Sequence, residues 1–276
     1  MISPNDRRQK DLIREQFTRT AQAFGDYAIA HRVREAEWLA RAVRASPSDC
    51  VVDLACEPGS LALRFARHVR WVCGLDLTPA MLERARLSVN AERLANIDFL
   101  VGDAQALPFA DSTLDIAVTS YSFHHLPDPA LALREMARVV KGSGRVGVID
   151  IRASEDARTA ELNNRIERIR DDSHTRTLAR SEFEGIFAAN GLRVLSIETV
   201  EDLREFDHWM YVAGHARGDH EYDETRRMVE ATIPDDSAGF HPQFISGGAK
   251  GGDSGGGCSL HIVNTMILIA AEKERA

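Results

Sequence analysis

"VVDLACEPGSLAL", Val51 to Leu63, is an apolar run that meets an acid, then a short turn, then a helix. Val51, Val52 and Leu54 fit a buried strand with Asp53 at its end. In an open parallel sheet a ligand sits in the crevice at the carboxyl ends of the strands, with the next helix's N-terminus aimed at it. The turn must then be small enough for backbone groups to approach the ligand. Ala55 and Gly59 meet that demand, and Glu57 does not. If this position needs φ above zero, a non-glycine residue costs about 1–2 kcal/mol there. The charge weighs more. A carboxylate ~4 Å from another costs on the order of 4 kcal/mol at an effective dielectric near 20, and beside an ammonium it gains as much. The direction of the Glu57 side chain therefore decides how this loop treats a charged ligand.

The next two strand ends carry acids as well. "CGLDLTPAML" places Asp76 about twenty residues beyond Asp53, where an acid in a βαβ unit accepts hydrogen bonds from ribose hydroxyls. Thr78 reads as an N-cap with Pro79 at N1. "VGDAQALPF" follows a third strand, and Asp103 there can accept a hydrogen bond from an adenine amino group. Any one of these acids is easily explained by solubility; three at successive strand ends are not.

Around this core, "LDIAVTS" and "RVGVID" are further strands, and amphipathic helices lie between. In "LALREMARVV", Leu133, Met136, Ala137 and Val140 share one face, as do Val33, Ala36, Leu39, Ala40 and Val43 near the N-terminus. Strands alternating with helices predict an α/β fold with a mostly parallel sheet buried on both faces. Residues 1–45 read as N-terminal helices. After Asp150 come a polar helical insertion around 152–180, a helix closed by Gly191, and a strand, "LRVLSIETV". Mixed helical material, a glycine-rich connector and a last strand, "IVNTMILIAAEK", complete the chain, the last two strands pairing antiparallel.

The run "VVDLACEPGSLAL … GLDLTPAML … VGDAQALPF … LDIAVTSYSFHHLPDP … LREMARVVKGSGRV" resembles class I S-adenosylmethionine-dependent methyltransferases. Within them it is most similar to the group containing ubiquinone/menaquinone-biosynthesis methyltransferases. The match covers about residues 50–150. It implies a Rossmann-like seven-stranded sheet with helices on both faces and an antiparallel last strand. Residues 1–45 would form a helical lid, and 46–276 the methyltransferase domain, with cap insertions around 152–180 and 201–258. Asp53, Ala55, Cys56, Glu57 and Gly59 would surround the methionine end of S-adenosyl-L-methionine. Asp76 would hold the ribose and Leu77 pack near the adenine. Asp103 and Ala104 would hold the adenine edge, and Thr119 and Ser120 would floor the site.

"SYSFHHLPD" follows the fourth strand, whose loop would face the reacting methyl group, so His124 and His125 are candidates for orienting an acceptor or taking its proton. The alternative is one packed and one solvated histidine. No further ligand stands at a spacing that would make the pair a metal site. Phe17, Phe24, Tyr27, Tyr121, Trp209 and Tyr211 are aromatic candidates for an apolar acceptor pocket, and core packing is the competing reading for each.

With 276 residues, 44% hydrophobic and 28% charged, the composition is that of a soluble globular protein, and a net charge of −8 argues against a nucleic-acid partner. The N-terminus has no signal-like apolar region, no run is long enough to span a membrane, and the four cysteines form no CxxC pair, so a reducing cytoplasm is expected. "GDSGGG", Gly252–Gly257, looks like the nucleophile loop of a chymotrypsin-like protease, but an alternating α/β chain offers no double barrel to complete a triad. The reading is a methyltransferase acting on a small organic acceptor. The alternative is a protein of the same fold that does not transfer methyl, because Glu57 stands where the loop of the family it resembles usually has glycine. The acceptor and the oligomeric state stay open, a homodimer being one option.

Overall fold

The computed structural model describes residues 3–246 and 258–274, and "GDSGGG" lies outside them. In chain order the first elements are α1 (Pro4–Arg19), α2 (Ala21–His31), α3 (Val33–Ala42), β1 (Cys50–Leu54), α4 (Ser60–Phe65), β2 (Trp71–Asp76), α5 (Pro79–Glu92), β3 (Ile97–Val101) and β4 (Leu114–Ser120). Then come α6 (Pro129–Val139), β5 (Val140–Ala153), α7 (Ala157–Arg170), β6 (Leu178–Ala179), α8 (Arg180–Ala189) and β7 (Leu192–Glu205). The last are α9 (Phe206–Val212), α10 (His220–Ala231), β8 (Gln243–Ser246) and β9 (Cys258–Lys273).

The strands join in the order β3-β2-β1-β4-β5-β9-β7. β1 to β5 pair in parallel, and β9 runs antiparallel between β5 and β7. The path has the expected seven strands; β6 on β5 and β8 on β9 are short additions. Central strands are largely buried, as their apolar runs require, whereas the edges β3 and β7 are half exposed and carry charges. β1 lies where the order reverses, between β2 and β4, so the crevice opens at its carboxyl end.

Helices α3 and α4 bury Ala36, Leu39, Ala40, Leu61 and Phe65 against one face, while α6 and α8 bury Leu133, Met136, Phe183 and Phe187 against the other. Of the N-terminal helices, α3 is thus part of the packing of the sheet. Helix α6 starts on Asp128, whose side chain accepts from Leu131 N, and stops at Val139. Val140, read from periodicity as part of that helix, instead begins β5. Gly74 in β2 has no room for a side chain: a Cβ would lie 2.7 Å from the Phe99 ring and 2.9 Å from Cys56 Sγ.

β7 runs on to Glu205, past the expected strand end at Val200, because β9 begins early and its residues His261–Thr265 pair with it. This extension carries a separate small core. Ile166 of α7, Phe206, Trp209 and Met210 of α9, Tyr222 and Val229 of α10, and Leu260 and Ile262 of β9 bury together. It stands beyond the carboxyl ends of the parallel strands, beside the crevice. Among the described residues no helix is long and apolar enough to cross a membrane.

Candidate active site

The turn after β1 is held in an uncommon conformation. Ala55 (φ 49°), Glu57 (φ 56°) and Gly59 (φ 85°) are all left-handed. For Ala55 and Glu57 that costs about 1–2 kcal/mol each. Two ties to β2 hold the turn: Cys56 N donates to Leu75 O at 3.0 Å, and Glu57 N donates to Asp76 Oδ2 at 2.9 Å. Asp76 Oδ1 accepts from Thr78 N at 2.8 Å. Thr78 caps α5 by position, but its side chain accepts no capping hydrogen bond.

The Glu57 carboxylate pairs with the guanidinium of Arg32, the residue between α2 and α3, and both side chains are buried. Arg32 lies 3.8 Å above the Tyr121 ring and 5.0 Å from Phe24. The charge is therefore answered by the N-terminal helices. Burial, with the Asp76 and Asp150 carboxylates, still lifts the Glu57 carboxyl to about 7, against the pull of Arg32 and His124. A buried acid whose pKa rises on folding is favoured folded in its protonated form, so stability is lost as pH climbs from the unfolded value through 7. Glu57→Gln should remove that loss. The stability of wild type relative to the variant should fall by on the order of 3 kcal/mol between pH 4.5 and 7, measured by urea unfolding across that range. Parallel pH profiles would refute the assignment.

A cleft opens over the strand ends. Of the residues singled out from the sequence, Ala55, Glu57, Asp76, Leu77, Asp103, Ala104, Tyr121 and His125 line it, joined by Phe17. Others lie beneath it. Cys56 turns its thiol toward the sheet under Gly74. Thr119 Oγ1 donates to Leu54 O at 2.7 Å and shares a hydrogen with Ser122 Oγ, bracing the turn instead of flooring the cleft. Ser120 faces a smaller void beside Arg32. Asp53 is fully buried, and neither carboxylate oxygen has a hydrogen-bond partner among the described residues. Burial, then Glu57 and Asp76, hold its carboxyl well above the usual range, and the Ala62 amide offsets this only in part. Gly59 supplies the left-handed cap of α4.

Helix α1 closes the cleft. Lys10 Nζ sits 2.6 Å from Asp103 Oδ2, and Gln9 Nε2 donates to His125 O and Ser173 O. A second cavity adjoins the first and shares Phe17, Tyr121 and His125 with it. Phe24, Arg32, His124, Arg170, Asp171, Arg204, Trp209 and Asn264 complete much of its wall. Tyr27 lines neither cavity; it stacks on His31 at 4.5 Å and packs near Arg204 and His208. Trp209 belongs chiefly to the separate small core beyond the strand ends, at 1% exposure, wedged between Phe206 and Phe240.

The two histidines differ. His124 Nδ1 binds the carboxylate of Asp150 in β5, and Nε2 has no hydrogen-bond partner among the described residues. Burial pulls its pKa down, but Asp150 outweighs it and raises the pKa above the ordinary value. His125 Nδ1 faces Ser173 O at 3.1 Å and Ser173 Oγ at 3.0 Å. Burial, then the neighbouring His124, push it down to about 4. Arg32 and Asp150 are not among the residues that sequence patterns single out. Nothing in the spacing around Arg32 marks it, but Asp150 closes the apolar run "RVGVID" in the sequence much as Asp76 closes its own, and that signal could have found it, although β5 itself continues to Ala153. No cluster of three metal-ligating side chains occurs among the described residues.

The donor set fits an adenosyl cofactor. It offers carboxylates at the ends of β2 and β3, apolar Leu77, Met81 and Ala104 between them, and a backbone cradle whose one acidic side chain is drawn off by Arg32. Residues 52–148 match the family model for a methyltransferase domain. The chain is 31% identical over 198 residues to the uncharacterized methyltransferase YcgJ of Bacillus subtilis, spanning 72% of this chain and 78% of that one. It is 36% identical to the ubiquinone/menaquinone biosynthesis C-methyltransferase UbiE of Ruegeria, over 41% of this chain and 45% of the relative. The crystal structure of YcgJ superposes with a TM-score of 0.78 at 26% identity, covering 88% of this chain and 99% of YcgJ. With fold, cleft and relatives in agreement, the chain belongs to this methyltransferase family and is an S-adenosylmethionine-dependent methyltransferase.

Proposed function

We propose that the chain transfers a methyl group by direct displacement to a small organic acceptor bound in the second cavity, with His124 taking the acceptor's proton. One observation carries this reading: a cleft bearing strand-end carboxylates shares a wall with a cavity containing an imidazole backed by a carboxylate. S-adenosylmethionine, when bound, supplies an already activated sulfonium methyl. Asp76 would accept from the ribose hydroxyls, Leu77 and Ala104 would flank the base, and Asp103 would meet its edge, sharing its carboxylate with Lys10. Helices α1 and α2 would serve as the lid and α7, α9 and α10 as the cap.

Because the methyl is activated, the chain's main contributions are alignment and exclusion of water. Well-oriented groups account for roughly 7–11 kcal/mol of such barriers, and a positioned base adds ~10²–10⁴-fold. Of the two histidines, His124 is the one suited to act as that base. Asp150 fixes its tautomer and keeps it basic, whereas His125 is too weak a base. The rival, a protein of the same fold that does not transfer methyl, drew on Glu57 in place of a loop glycine, and the pairing of that carboxylate with Arg32 speaks against it. Calorimetric titration with S-adenosylhomocysteine tests the proposal. Saturable micromolar binding is expected, and no heat at about 1 mM ligand would overturn it.

A further inference from the structure

The acceptor cavity has an uneven chemistry. Three guanidiniums, Arg32, Arg170 and Arg204, reach its wall, and Asp171 is the one carboxylate there. The acids that balance the arginines, Glu57, Glu167 and Asp202, are absent from that wall. Each pair, moreover, occupies only part of its guanidinium. Arg204 gives Nε to Asp202 at 2.6 Å, and its two terminal nitrogens have no hydrogen-bond partner among the described residues. Arg170 gives Nε to Glu167 and Nη1 to Trp209 O. Arg32 gives Nη1 to Glu57, and its Nε is buried without a partner. On two further residues of this wall, Trp209 Nε1 and Asn264 Nδ2 are buried with no hydrogen-bond partner among the described residues.

Asp171 is half engaged: its Oδ1 accepts from Ser173 N at 2.8 Å and Ser173 Oγ at 2.6 Å, and its Oδ2 has no hydrogen-bond partner among the described residues. Free donors on three arginines thus outnumber the single free carboxylate oxygen of Asp171, and an unsatisfied buried donor is costly until something accepts from it. Aromatic surface lies beside the charge: Phe17, Phe24, Tyr121 and Trp209 line the same space, with Arg32 over Tyr121 and Arg170 4.5 Å from the Trp209 ring. A guanidinium presents a planar fork that matches an oxyanion with two parallel hydrogen bonds.

Resting on the methyltransferase reading above, we infer that the acceptor is a planar aromatic acid, its ring among Phe17, Phe24 and Tyr121 and its oxyanion held by Arg204 and Arg170. Amine acceptors are disfavoured by the same wall, since an ammonium would face three guanidiniums. In the transfer, the acceptor's ionisable hydroxyl loses its proton to His124 Nε2. The oxygen's electron pair forms the new bond to the methyl carbon, and the sulfur–methyl bond breaks with its electron pair remaining on sulfur.

Matched pairs of probes test this: benzoate against benzamide, 2-naphthoate against 2-naphthamide, and 4-hydroxybenzoate against 4-hydroxybenzamide, titrated calorimetrically into protein saturated with S-adenosylhomocysteine. Phenyl phosphate is the arm that tells a carboxylate site from a phosphate site. At least one acid should bind about tenfold or more tightly than its amide, and Arg204→Gln should erase that preference while Arg204→Lys retains part of it. S-adenosylhomocysteine affinity in both variants, expected to match wild type, is the control for folding. Equal binding of acid and amide in every pair, or a preference that survives Arg204→Gln, overturns the inference. Failure of S-adenosylhomocysteine to bind wild type would instead overturn the reading on which it rests.

Discussion

Asp76→Ala is expected to weaken S-adenosylhomocysteine binding at least about a hundredfold. In the proposed complex the carboxylate accepts from two ribose hydroxyls, and hydrogen bonds to a charged group contribute about 1.5–3 kcal/mol each, so losing both costs on the order of 3 kcal/mol or more. The same side chain ties Glu57 N and Thr78 N, so its removal also frees the cradle. Asp76→Asn should lose nearly as much, because its amide nitrogen must confront one of those two N–H groups. Burial is the first cause that lifts the Asp76 carboxyl to about 6, opposed by the Thr78 and Glu57 amides. Protonation removes an acceptor the ribose needs, so affinity should fall as pH drops through 6. The dissociation constant would rise toward about tenfold per pH unit below that point and level off above it. Calorimetry from pH 5 to 8 measures this, and the low-pH limb should vanish in Asp76→Asn. Binding by either variant within about threefold of wild type would exclude Asp76 from the site.

How much of this was legible in the sequence follows from what each feature depends on. The sheet from β1 to β5 could be read because short apolar runs alternating with helices are local patterns, enforced for the central strands by burial on both faces. Asp76, Leu77, Asp103 and Ala104 were legible for the same reason, since the strand end alone carries them to the cleft. The fate of Glu57 was not. Its partner Arg32 is 25 positions away on another element, and only the packing of the N-terminal helices brings the two together. The full length of β7 was hidden because "EDLRE" is polar and would suit a helix or loop; as an edge strand, it is held by its partner β9, not by its own composition. Trp209 and Tyr27 show the limit for aromatics, because neither residue type nor neighbours in sequence say whether a ring faces a cavity or fills a core.

The step from binding to chemistry turns on His124. His124→Asn should lower the single-turnover rate of methyl transfer to a phenolic acceptor found by screening by about 10²–10⁴-fold, the usual contribution of a positioned base, while S-adenosylhomocysteine affinity stays near wild type. His125→Asn should cost far less, since that ring sits against Ser173 and stays neutral across the working range. Only the neutral imidazole accepts a proton, so the rate should rise with pH through the pKa of His124, which Asp150 holds above the ordinary histidine value. Asp150→Asn removes the charge that opposes burial, and the rising limb should then move to lower pH, with a lower plateau because the weaker base is also less well oriented. A purely structural Asp150 would reduce rate and stability without displacing that limb, because the charge acting on the imidazole would not be what the rate reports. The shift of the limb, more than the size of the loss, therefore decides whether the Asp150–His124 pair handles the acceptor's proton. An unmoved limb, or His124→Asn retaining more than about a tenth of the rate, would assign the proton to solvent or to another side chain.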